Sequence, residues 1–282
     1  MTATAEKVTD PTELDTGART ALRDLILTLA DCKRVLGIRY SDWMLGAPTL
    51  ESGIAASSMA QDEWGHGRLT YALLSAFGDD PKALEHQRDA SEYRSFQSLD
   101  EPLESWTDMI AAALLLDTAL SVQYAALLDS RYEPIHNRVQ KLLDEESFHF
   151  RYATSWTRRL AESNAVRNDL RQSLAELLPE ALRWFGPGDG KAVRTLFDEG
   201  IVSQDPEGLR AHLLARIVPV LRDTELISAV GLDESEGEWF YAGPELDWAG
   251  WDESTRRAGG SGPDADTLAR MRGDKNRAFL VE

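Results

Sequence analysis

"QDEWGHGRL", residues 61–69, sets Glu63 and His66 three positions apart within a stretch of helical apolar spacing. That separation puts both side chains on one face of a helix. Alone the pair means little, because a chain with 48 acidic residues and five histidines places a glutamate three before a histidine by chance. Its weight depends on partners elsewhere. One stands in "DEESFHF", residues 144–150, where Glu146 and His149 are again three apart. Two such motifs on two helices each offer a carboxylate and an imidazole to one point. Oxygen and nitrogen donors together suit iron or manganese, and carboxylate-bridged di-iron bundles hold two ions this way.

The helices that carry these motifs read from apolar periodicity. The first runs from Thr16 to about Trp43 on Leu22, Leu25, Ile26, Leu29, Leu36 and Tyr40. "GAPTL" breaks it, and a second runs from about Leu50 to Phe77, ending at "GDDP". Polar residues 79–103 connect to a third, about Pro102 to Ser130, and a fourth covers about Ile135 to Ala161, with Pro134 at its start. Short, long and short connections between four long helices predict an all-α, antiparallel four-helix bundle of ferritin-like type. Residues 1–16 read as a flexible N-terminus and 17–282 as one helical domain. Its extension from about 165 holds helices near 165–185, 190–199 and 206–224, an irregular aromatic strap over 231–263, and a last helix from Ala265 to Met271.

Such a metal site also needs a carboxylate from each remaining helix. On the third helix Asp117 interrupts "AALLLDTAL" and shares a face with Ile110, Ala113, Leu114, Leu120 and Tyr124. An unpartnered aspartate there would cost several kcal/mol, so Asp117 is expected to have a partner. On the first helix the matching position is Lys33, which lies on the apolar stripe with Leu29 and Leu36. Its ammonium would face Glu63, Asp117 and Glu146, and three carboxylates with one cation balance with one metal or with none. The alternative is a lysine reaching solvent from the helix edge. Asp31 is expected on another side and Asp42 too far along. Cys32 reads as a small buried residue, and Arg158 and Arg159 as a solvated pair or an anion patch.

Bulk composition narrows the class. A hydrophobic fraction of 43% with 28% charged residues is that of a globular chain, and no apolar run approaches the roughly 20 residues that span a bilayer. The opening residues lack a basic segment followed by an apolar one, so no secretory signal is expected. The single cysteine fits a reducing cytoplasm. A net charge of -18 argues against nucleic acid or an anionic membrane as partner.

Over most of residues 20–250 the chain resembles the phenylacetyl-CoA epoxidase family, the phenylacetic acid catabolic proteins. In the family's catalytic chain, "QDEWGHG" is similar to the first motif and "EESFH" is identical to the second. "GAPTL", "WFGPGD", "IVPVL" and "GPELDW" follow in order. The first-helix stretch "LADCKRVLGIRYSDWMLGAP" is more like the non-catalytic partner, which has the same fold with a degraded metal site. The resemblance implies a multicomponent di-iron oxygenase that epoxidises the aromatic ring of an acyl-CoA thioester with dioxygen. It implies electrons from a separate flavin and iron-sulfur reductase, and a homologous helical subunit or a second copy as partner. Five of six metal ligands carry over as Glu63, His66, Asp117, Glu146 and His149; Lys33 falls where the sixth, a glutamate, is expected. The family's lysine one turn before the first motif is Met59 here. The resemblance thus implies two iron ions, or one or none because of Lys33, with manganese as an alternative metal. The implied catalytic groups are Glu63, Glu146 and Lys33. The contrasting reading is a metal-free structural subunit in which the Lys33 charge replaces the metal.

Overall fold

A computed structural model describes residues 6–273. Among the described residues the fold is all-α apart from one short hairpin, and ferritin-like. In order it forms α1 (Thr16–Asp42), α2 (Leu50–Tyr71), α3 (Pro81–His86), α4 (Trp106–Ala112), a π-helical turn (Ala113–Asp117), α5 (Thr118–Ala125), α6 (Glu133–Ala161), α7 (Arg167–Arg183), α8 (Lys191–Asp198), α9 (Pro206–Asp223), β1 (Leu232–Ser235), β2 (Glu238–Tyr241) and α10 (Ala265–Arg272). Of the N-terminal stretch expected to be loose, residues 1–5 lie outside the described residues, while Pro11–Glu13 form a 3-10 turn capped by Asp10. The described chain divides into two compact units: residues 6–7 with 103–249, and residues 8–102 with 250–273.

In the second of these units α1 and α2 form a helical hairpin. Asp15 caps the start of α1 and Thr49 that of α2, each accepting from a backbone N–H of the first turn. The expected apolar stripe of α1 is fully buried, Leu22, Ile26, Leu29, Leu36 and Tyr40 all at 0% exposure. Two glycines let the helices close. The Trp64 indole lies against Gly37, where a Cβ would stand 2.6 Å from it, and Gly67 of α2 packs on the α1 backbone beside Lys33. The second helix ends as expected at Phe77, but its last turns, Ala72–Phe77, tighten to 3-10 before Gly78 at φ 91°. The expected connection 79–103 contains α3, with Asp80 capping and Pro81 in the first turn.

Polar side chains of α1 are buried by what wraps it. Asp31 accepts hydrogen bonds from the Tyr71 hydroxyl, the Arg88 guanidinium and the Arg94 backbone N–H. Arg39 donates to the carbonyls of Leu99 and Asp100 and to Asp264. The segment 250–273 is thereby fastened to α1, with Arg257 adding an ion pair to Asp100.

In the other unit α4 starts at Trp106 rather than Pro102. Ser105 and Asp108 cap each other's backbone N–H there, which fixes the first turn. Ser173 of α7 donates to Asp108 at 2.6 Å, and Trp106 meets Trp156 of α6 edge to face at 5.2 Å. The C-terminal helices fall near the expected ranges. The strap is not wholly irregular as expected: β1 and β2 pair antiparallel, Leu232 with Tyr241 and Ser235 with Glu238. The two residues between them, Glu236 and Gly237, both have positive φ, 54° and 85°, as a tight hairpin turn requires.

Candidate metal centre

Asp117 owes its place to a break in helical register. Ala113–Asp117 form a π-turn, in which one extra residue is accommodated and the face of the helix rotates. Regular spacing therefore misjudges which upstream residues share its face. Asp117 is 1% exposed, and its Oδ2 lies 3.1 Å from Nδ1 of His149 on α6. The same nitrogen is 3.7 Å from Oε2 of Glu146, one turn earlier. These three buried residues each bring a ligand atom within 4.8 Å of the others.

The donor set tests what the cluster can hold. Two carboxylates and a histidine nitrogen converge away from water, and Nδ1 would give up any proton it carries on taking a metal. That combination fits iron or manganese. Ser121, one turn after Asp117, donates to Glu146 Oε2 at 3.1 Å and so orients the second carboxylate. Sequence reasoning missed Ser121, although its spacing of four from Asp117 was a signal. It also missed Arg216 of α9, half-buried over the Phe150 ring at 4.7 Å. Burial lowers the pKa of this guanidinium, against the opposing pull of Glu146 and Asp117.

The other motif lies in the unit of α1 and α2. Lys33 does not reach solvent: its Nζ lies 2.9 Å from Glu63 Oε1, and both side chains are 0% exposed. A fully buried ion pair of this kind holds only while both members are present. His66 is 2% exposed, and its carbonyl accepts from the Thr70 hydroxyl at 2.8 Å. Asp31 and Asp42 stand as expected, apart from Lys33: Asp31 is held by Arg88 and Tyr71, Asp42 by Arg39 and Arg270. Cys32 is buried, and burial raises its thiol pKa well above the usual value. Arg158 pairs with Asp223 at 3.1 Å, and Arg159 lies over Trp156, so neither is a free anion patch.

The sequence pattern of the phenylacetic acid catabolic protein family matches residues 1–250. A curated relative, one of the subunits of 1,2-phenylacetyl-CoA epoxidase from Escherichia coli (strain K12), is 29% identical over 149 residues. The match covers 52% of this chain, and the chain spans about half, 48%, of that relative's length.

Proposed function

Because this chain belongs to the phenylacetic acid catabolic protein family, we propose that it is the metal-binding subunit of a multicomponent oxygenase. Its substrate on this reading is an aromatic acyl-CoA thioester of the phenylacetyl-CoA kind, and its co-substrate is dioxygen. The observation that carries the reading is the buried cluster of Asp117, Glu146 and His149. A purely structural core has no need of an imidazole between two carboxylates.

Asp117, Glu146 and His149 would hold one metal ion, and Glu63 and His66 are proposed as the ligands on α2. Bound iron would supply the activation of dioxygen that organic side chains lack. The protein's part is to fix the ligands and keep water out. Ser121 orients Glu146, and Lys33 neutralises Glu63 while holding protons at Nζ. Electrons would come from a separate flavin and iron-sulfur reductase, in the cytoplasm, and a homologous helical subunit or a second copy would complete the assembly. Among the described residues no helix is long and apolar enough to cross a membrane.

One observation favours a second reading. The Lys33–Glu63 pair puts a cation on a proposed ligand, as a metal-free structural subunit would. Turnover separates the two. The chain, assembled with a phenylacetyl-CoA epoxidase reductase and accessory subunits, is given phenylacetyl-CoA, reductant and dioxygen. Oxygen-dependent conversion of phenylacetyl-CoA to a thioester carrying one added oxygen atom, abolished by His149→Ala, supports the enzyme. Turnover equal in wild type and His149→Ala contradicts it.

A further inference from the structure

Between the hairpin and helices α7 and α9 lies an open groove of about 470 Å³. Trp239 and Tyr241 are two apart on β2 and so share one face of the strand. With Trp248 from the following loop they form the aromatic wall, and Leu182 and Leu214 line the opposite side. The Tyr241 ring lies directly over Gly243, where any Cβ would stand within 2.6 Å of it, so the wall is built and not incidental. Phe240 adds a large apolar side chain that is 43% exposed.

The hairpin and the loop that follows it are acidic. From Leu232 to Trp248 the chain carries Asp233, Glu234, Glu236, Glu238, Glu245 and Asp247, and no lysine, arginine or histidine. The one basic lining residue, Arg210, is already committed: it pairs with Glu207 and donates to the Gly186 carbonyl at 2.7 Å. An anionic ligand such as a phosphate is therefore repelled. Aromatic faces ringed by carboxylates attract a cation that is itself flat or apolar along its stem.

We propose that this groove is a docking site for a basic segment of a protein partner, an arginine of which stacks on Trp239 while Glu234, across the hairpin from Trp239 and on the same face, and Glu245 of the lining pair with its charge. The aromatic rings supply the specificity and the acidic rim speeds encounter. The site is independent of the metal cluster, so it stands or falls separately from the oxygenase reading.

The probe is a short synthetic peptide with two arginines flanking proline, titrated by calorimetry into the full chain at two salt concentrations. A peptide with glutamates replacing the arginines serves as control. The arginine peptide should bind at least tenfold more tightly than the control, and Trp239→Ala or Glu245→Lys should weaken it about tenfold. Glu176→Lys, which makes the same charge change on an exposed face of α7, should leave it unchanged. Equal weakening by Glu176→Lys and Glu245→Lys would reduce the effect to the net charge of the chain and overturn the proposal. A dimer in sedimentation that Trp239→Ala dissolves would put a second copy in the groove, and would also overturn it.

Discussion

The Lys33–Glu63 pair shows what a single position decides. Removing one member strands a buried charge, so Lys33→Met should cost about 3–5 kcal/mol in urea unfolding. Replacing both, in Lys33→Met/Glu63→Leu, should recover most of that loss, since a well-packed apolar pair has no desolvation to overcome. A single variant as stable as wild type would show that Lys33 does not neutralise Glu63. Lys33 was legible in the sequence because its register with Leu29 and Leu36 fixes its face. Arg216 was not: it comes from α9, and nothing in the spacing of one helix says which residue of another will lie over Phe150. Next to Lys33, burial raises the Cys32 thiol, which has a pH consequence. The raised value favours the protonated form on folding, so this contribution to stability is intact below the ordinary thiol pKa and falls as pH rises past it. A disulfide reagent at pH 8 should find no reactive thiol in the native chain and one after denaturation; rapid native reaction would contradict the burial.

Elements add constraints that no single residue shows. Gly37 exists for the Trp64 indole, and Gly37→Ala should destabilise the α1–α2 hairpin by about 1–3 kcal/mol through overpacking, read as a lower thermal midpoint. The π-turn is the larger device. Deleting Ala113 would return Leu114–Asp117 to α-helical register and alter the face from which Asp117 projects. Helical content by circular dichroism should persist while metal binding falls; unchanged metal binding would mean that the turn does not position the ligand. Long helices were legible because their caps and stripes agree, as at Asp15, Thr49 and the Ser105–Asp108 box. The π-turn was not, because "AALLL" ahead of Asp117 is apolar on every face and periodicity cannot reveal one added residue. The β-hairpin was also missed: its turn is Glu236–Gly237, and glutamate is an uncommon occupant of positive φ.

For the whole molecule, family membership and the buried cluster point the same way, while the charge of -18 limits which surfaces can bind anions. The two E-x-x-H motifs made the candidate ligands legible from sequence alone, because chemistry of that kind needs fixed residue types at fixed spacing. Spacing also set Lys33 facing Glu63; what it could not supply was the closeness of that contact, 2.9 Å, which depends on how near Gly67 lets α2 approach α1. The central claim is that the chain binds metal through Asp117, Glu146 and His149. Elemental analysis of iron and manganese per chain, on protein produced with added iron, tests it most directly. One to two ions per chain in the wild type, falling to near zero in His149→Ala, is the expected result. No metal in the wild type, with metal gained in Lys33→Glu, would contradict it and assign the chain to a structural role.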